Sequence, residues 1–259
     1  MPRFSINVSM MLNEYAFLDR FHAAAELGFE GVDIQFPYDH PAGAVARRAT
    51  EAGVEVVLIN VPAGDLPTGG DGLACVPGRE AEFAEALQTA RGYVAALGCR
   101  RVNVLAGRLP AGVDPAAARA TLVGNLRRAA DLFGPDGVTV MLEPCNTQDV
   151  PRYLVSRTGD AIALLDEADR PNLALQFDFY HRQIMEGDLV EGFRAALPRI
   201  AHLQFADVPG RHEPGTGGID FPGLFAAIDA SGYDGWVGAE YVPATDTAAS
   251  LGWFRAARA

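Results

Sequence analysis

Four oxygen-bearing side chains stand where apolar runs end. Glu143 follows Val138–Leu142, Asp178 follows Leu173–Phe177, Gln204 follows Ile200–Leu203, and Glu240 follows Trp236–Ala239. A carboxylate closing an apolar run is a poor packing choice, because burying its charge is costly unless it is paired or bound to a cation. Two glutamates and an aspartate brought together would repel strongly, and a hard divalent ion is the economical way to hold them. The expected cofactor is one divalent metal ion, Mg²⁺ or Mn²⁺ with Co²⁺ left open; structural Zn²⁺ would ask for Cys or paired His. The plainer alternative is that acids just after strands cap the next helix. It suits Asp178 taken singly better than all four residues at matching positions.

Other polar groups cluster near these four. His181 lies three residues beyond Asp178, placed to sit over an ion, and is otherwise a loop histidine on solvent. Arg211, in the Gly-rich stretch Asp207–Gly218, is a candidate contact for an anionic substrate or else a surface arginine. His202 shares strand parity with Gln204, so it is expected to point inward one layer lower, as a hydrogen-bonded core residue. Cys145 has no evident His partner and is expected to be inert, and His22 and His212 carry no signal. All 21 basic residues are Arg; the chain has no Lys. Schiff-base catalysis and a P-loop lysine are thereby excluded. A barrel that handles carbonyl compounds without lysine is expected to use a metal as its electrophile.

The elements that must position these residues alternate strictly. Strands are expected at Arg3–Val8, Val32–Phe36, Val54–Asn60, Val102–Leu105, Val138–Asn146, Leu173–Asp178, Ile200–Gln204 and Trp236–Glu240. Helices are expected near Tyr15–Leu27, His40–Ala52, Arg79–Leu97, Pro115–Phe133, Thr158–Ala168, Val190–Ala196, Phe221–Ser231 and Thr247–Arg258. Asp114-Pro115 reads as an N-cap with proline at the first helical position. Eight strand–helix units imply a parallel sheet, and 259 residues suit closure into one (β/α)8 TIM barrel, a single domain over residues 1–259. Closure brings the four polar strand ends, from strands five to eight, to the C-terminal face. The loop Val61–Pro77, rich in Gly and Pro, and the loop Asp207–Gly218 are candidate lids.

A net charge of −12 disfavours nucleic acid, whose binding needs a basic face. No apolar run approaches the roughly 20 residues of a membrane span. The start of the chain runs straight into a strand with no signal-peptide pattern, and three scattered cysteines form no CxxC pair. The expectation is a cytoplasmic, reduced protein. Its partner would be a small anionic keto-acid or sugar-acid substrate, with no nucleic acid and no membrane, and a homo-oligomer is left open.

Over nearly its whole length the chain resembles the hydroxypyruvate isomerase family of the xylose isomerase-like barrels. The resemblance is carried by Phe4–Met10, Gly28–Asp33, Asn60–Asp65, Leu142–Asn146 (LEPCN), Gln176–His181 (QFDFYH), His202–Asp207 (HLQFAD), Pro209–Gly215 (PGRHEPG) and Gly238–Tyr241. It implies that Glu143, Asp178, Gln204 and Glu240 bind the metal, that Glu143 and Glu240 double as acid and base, and that His181 and Arg211 contact substrate oxygens. Relatives that epimerise free sugars usually have His where this chain has Gln204. One departure stands out: the family's Glu-Pro-x-Asn-x-Arg-Asp segment carries Gln148 in place of its Arg. If that Arg holds a substrate carboxylate, the task falls here to Arg152, Arg211 or another group.

The reaction so implied is metal-assisted aldose–ketose isomerisation of a small 2-keto acid, hydroxypyruvate to tartronate semialdehyde through a cis-enediolate. The alternatives are 2-oxo-tetronate isomerisation and ketose 3-epimerisation, and more distantly a non-enzymatic sugar-acid binding protein. The superfamily also contains nucleases acting on abasic DNA; those need a His-rich metal cluster and a basic face, which five scattered His and the negative charge oppose.

Overall fold

A computed structural model of the protein describes residues 2–258. Eight parallel strands close into a barrel in sequence order: β1 (Arg3–Asn7), β2 (Gly31–Ile34), β3 (Glu55–Asn60), β4 (Arg101–Leu105), β5 (Thr139–Glu143), β6 (Leu173–Asp178), β7 (Ile200–Phe205) and β8 (Trp236–Ala239). Around it run α1 (Arg20–Glu26), α2 (Ala42–Ala52), α3 (Glu80–Leu97), α4 (Pro115–Phe133), α5 (Thr158–Ala168), α6 (Phe179–Met185), α7 (Leu189–Ala196), α8 (Phe221–Ala230), α9 (Thr247–Ser250) and α10 (Gly252–Arg258). Among the described residues no helix is long and apolar enough to cross a membrane.

Strand alternation divides the apolar residues between two places. On β5, Val140 and Leu142 join the large core that includes Leu122, Leu126, Leu164 and Leu165 of the flanking helices. Met141, of opposite parity, belongs to a separate small cluster with Val57, Leu58 and Trp236. Glu143 has the parity of Met141, so the strand delivers it to the same interior, one layer higher. Burial of each such large side chain contributes about 1.5–3 kcal/mol. This is why the register cannot slip by one residue without exchanging core and carboxylate faces.

The expected elements are found with small shifts at their ends, and three differences are substantive. The first helix is shorter than its apolar stripe. A 3-10 turn at Phe17–Asp19 precedes α1, and the Arg20 guanidinium donates to the carbonyls of Val8 and Tyr15, holding the approach irregular. The last helix breaks at Leu251 before Gly252, a poor helix former. Phe179–His181, expected as loop, opens α6, because the Asp178 carboxylate accepts from the Tyr180 amide at 2.8 Å and caps the helix directly after β6. Asp114 caps α4 as expected, accepting from the Ala116 amide, and Gly53 ends α2 with φ of 70°.

Candidate active site

The four strand-end residues converge. Carboxylate oxygens of Glu143, Asp178 and Glu240 lie within 4.8 Å of one another, and all three side chains are buried. Glu240 stands one residue past β8 and is buried all the same. Gln204 joins them: its amide nitrogen donates to Glu240 Oε1 at 3.1 Å. Its oxygen turns the other way and accepts from Gln176 Nε2 at 2.5 Å.

Asp178 caps the next helix with one oxygen only. Oδ1 caps α6, while Oδ2 is buried with no hydrogen-bond partner. An orphaned buried anionic oxygen is expensive. Here it faces His181 Nε2 at 3.6 Å and Arg211 Nη2 at 3.9 Å.

His181 is buried on α6 rather than exposed on a loop. Its Nδ1 accepts the Asn146 backbone N–H at 3.2 Å, which leaves the proton of the neutral ring on Nε2. That N–H points toward Glu143 Oε1 at 3.8 Å and Asp178 Oδ2 at 3.6 Å. Burial, and then the Arg211 charge, hold the imidazole well below its ordinary pKa, so it stays a neutral donor. Asn146 is itself fixed, donating to Asp149 and accepting from the Gln148 and Asp149 amides.

Arg211 is no surface arginine. Its Nη2 donates to Glu240 Oε2 at 2.7 Å, and the guanidinium lies over the Tyr180 ring, 4.8 Å from the centroid. Burial works against its charge, but the carboxylates of Glu240, Asp178 and Glu143 outweigh burial and raise its pKa. The backbone at Arg211 takes the left-handed φ of 56°, held by hydrogen bonds from Arg211 N to Asp207 O and from Val242 N to Arg211 O. The Asp207–Gly218 loop is tied from within, since buried Asp207 accepts amides of Val208, Gly215, Gly217 and Ile219. The Val61–Pro77 loop is tied similarly: Asp65 accepts from Gly72 N, and Arg79 bridges Asp65 and Gly72 O.

Carboxylates held this close perturb one another. Glu143 is raised well above the ordinary range by burial first, then by repulsion from Glu240 and Asp178. Asp178 is pushed up to about 7, chiefly by burial, with Arg211 opposing and Glu240 reinforcing the shift. Cys145 lies beside Glu143 but is buried, and burial followed by the Glu143 charge pushes its thiol well up, so it is no nucleophile. His202 is fully buried one layer down, with Nε2 3.0 Å from Asp33 Oδ2, a core residue as its parity implied.

The other candidates are placed apart. Gln148 is exposed. Arg152 pairs with Asp71 at 3.0 Å and donates to Leu109 O, outside the cluster. His22 pairs with Glu26 on the surface, and His212 binds the Val242 carbonyl. Sequence reasoning missed the carboxamides that brace the acids. Asn103 donates to Glu143 Oε2 at 2.7 Å; Asn7 and Gln35 donate to Glu240 Oε1 at 2.6 and 3.3 Å. The signal was available: Asn7 ends β1 and Asn103 interrupts apolar β4 at a site-facing position, as the acids do on β5–β8.

A closed parallel barrel whose C-terminal rim gathers paired acids and a neutral imidazole has the placement and the groups of an enzyme that moves protons. The xylose isomerase-like TIM barrel family matches residues 21–257, and the chain belongs to it. Within that family it is a member of the hydroxypyruvate isomerase group, and it is an isomerase. It is similar to the 2-oxo-tetronate isomerase of Cupriavidus necator, 46% identical over 255 residues and 98% of each chain. It is also similar to the hydroxypyruvate isomerase of Escherichia coli K12, 44% identical over 253 residues and 98% of each chain. Among solved structures, one from Brucella melitensis, titled AP endonuclease, family 2, superposes with a TM-score of 0.96 at 42% identity over 99% of both chains.

Proposed function

We propose that the protein interconverts the keto and aldehyde forms of a small 2-keto acid, hydroxypyruvate and tartronate semialdehyde first, with a divalent cation as cofactor. The observation that carries this is the cluster of three buried carboxylates with an orphaned Asp178 oxygen. Arg211 offsets part of that charge, and a divalent cation would offset the rest. The three carboxylates offer oxygen donors, which suits Mg²⁺ or Mn²⁺. Held by Glu143, Asp178, Gln204 and Glu240, the ion would supply the electrophile that a chain without lysine lacks.

The chain's own groups supply the rest. Glu143 and Glu240 reach the cluster from β5 and from the end of β8, so a substrate between them has a carboxylate on either side. One takes the C3 proton, giving a cis-enediolate; a proton returned at C2 gives the aldehyde, and the proton of the C3 hydroxyl is passed to O2. His181 Nε2–H is a neutral donor aimed at the position where charge develops on oxygen. Arg211 is the guanidinium at the site and is the candidate for the substrate carboxylate. This follows because Gln148 is exposed and Arg152 lies outside the cluster beside Asp71, whereas Arg211 reaches the acids themselves.

A second reading, isomerisation of the four-carbon 2-oxo-tetronate, is favoured by the likeness to the Cupriavidus necator protein of that name. Nuclease action is disfavoured by a net charge of −12 and by histidines that, among the described residues, do not gather round the acids beyond His181. Turnover of hydroxypyruvate, 2-oxo-tetronate and free ketoses, each with added Mg²⁺ or Mn²⁺ and with chelator, tests the proposal. Full activity in chelator would remove the cation, and turnover of ketoses alone would remove the keto acid.

A further inference from the structure

Arg211 is placed to do more than hold a substrate. Its Nη2 stands 2.7 Å from Glu240 Oε2 and 3.9 Å from Asp178 Oδ2, so one positive charge already bridges two of the acids assigned to the cation. The two Glu240 oxygens are committed differently. Oε1 accepts from Asn7, Gln35 and Gln204, donors carried on β1, just beyond β2 and on β7. Among the described residues Oε2 accepts only from Arg211, which a loop carries. Releasing Oε1 breaks three hydrogen bonds held by the barrel wall, whereas releasing Oε2 breaks one, though a charged one. Oε2 is therefore the oxygen to be freed, and the guanidinium is the group that must leave it.

The guanidinium has a second use for the same edge. Its Nε is buried and has no hydrogen-bond partner among the described residues, while Nη2 is on Glu240. Nε and Nη2 form the edge of the planar group that a carboxylate grips with two parallel hydrogen bonds. Glu240 uses half of it. The Tyr180 ring, 4.8 Å from the guanidinium, offers a face without strong direction, so Arg211 keeps that contact while changing partners. The Tyr180 hydroxyl donates to Asp149 at 2.8 Å, which holds the ring in place.

We propose that a substrate carboxylate draws Arg211 off Glu240 and so opens Glu240 Oε2 to the divalent cation, which makes cation and carboxylate bind as a coupled pair. The inference rests on the cation-dependent reading above and adds the regulation of that site. A cation and a guanidinium repel across shared acids, and a carboxylate on the guanidinium relieves that repulsion. A neutral ketose cannot move Arg211, so the same contact selects acids over free sugars.

Calorimetric titration with Mn²⁺ tests it without turnover. The probes are pyruvate, which has the carboxylate and the carbonyl but no C3 hydroxyl to isomerise, and pyruvamide, its neutral counterpart. Saturating pyruvate is expected to tighten Mn²⁺ about tenfold, and Mn²⁺ to tighten pyruvate by the same factor, because coupling is reciprocal. Pyruvamide is expected to leave Mn²⁺ affinity unchanged. Arg211→Asn, a residue that tolerates the left-handed φ of 56°, should bind Mn²⁺ about tenfold more tightly than wild type when no pyruvate is added, with no further gain from pyruvate. An arginine that only supported the fold would not give a tighter site on removal. Equal or weaker Mn²⁺ binding by Arg211→Asn overturns the proposal. So does an undiminished pyruvate effect in that variant, which would make pyruvate a direct ligand of the ion, or pyruvamide acting as strongly as pyruvate on wild type. If Arg211→Asn does not fold, Arg211→Met carries the same comparisons. Wild type that binds no Mn²⁺ with or without pyruvate would sink the cation reading itself; Mn²⁺ binding indifferent to pyruvate would sink only the coupling.

Discussion

Asp178 does two separable jobs with its two oxygens, and Asp178→Asn should separate them. Asparagine keeps an oxygen to accept the Tyr180 amide, so the cap on α6 survives. What is lost is the charge on the oxygen that now has no partner. The sign of the stability effect follows from the shift. The carboxyl is raised from its ordinary 3.8 to about 7 in the folded protein, by burial above all. A raised group contributes stability that is full below the unfolded value and is lost as pH rises through the folded one. Metal-free wild type should therefore weaken between about pH 4 and pH 7, by an amount on the order of a few kcal/mol for a shift of this size. The asparagine variant does not titrate and should not weaken through this group. With roughly 2–4 °C of Tm per kcal/mol for a chain of this size, the variant should melt several degrees above wild type at pH 8 and close to it at about pH 4, both in chelator. Asp178→Ala gives the control, since it removes the charge and also the cap, at a cost of about 1 kcal/mol. Mn²⁺ affinity should fall in both variants by at least about 100-fold, more than loss of an outer partner costs. Equal melting of Asp178→Asn and wild type at pH 8, or Mn²⁺ affinity within twofold of wild type, would refute the reasoning.

Three further outcomes are expected. Glu143→Gln and Glu240→Gln should each lower isomerisation about 10²–10⁴-fold with the barrel intact, as loss of a positioned proton carrier does. Turnover in D₂O distinguishes them, and near-full activity in either variant would end the two-glutamate mechanism. Because burial and repulsion hold Glu143 and Asp178 protonated at higher pH than usual, cation uptake near neutrality should release protons and tighten as pH rises. Calorimetry in buffers of different ionisation enthalpy reads this, and uptake without proton release would contradict it. Asp207→Ala frees four loop amides and should raise KM while speeding hydrogen exchange at Gly215 and Gly217. Unchanged exchange there would show that the loop is held by other means.

The order of strands, the barrel and the convergence of Glu143, Asp178, Gln204 and Glu240 were legible in the sequence, because each is a matter of period and parity. An acid at the end of an apolar strand has few places to go once eight units close in order, and alternation says which side it faces. What the chain alone left open depends on contacts between residues distant in sequence. Arg211 could be read as surface or site; only the return of its loop beside β8 puts it 2.7 Å from Glu240. His181 was open between solvent and site until the Asp178 cap drew Phe179–Met185 into a helix and Asn146 fixed the ring. The direction of the Gln204 amide has no local cause at all. It is set by Gln176 on the neighbouring strand β6 and by Glu240 at the end of β8, which closure brings to either side of it. Hydrophobic period is a property of neighbours along the chain, whereas the sense of a hydrogen bond is decided by whichever partner closure brings across the barrel.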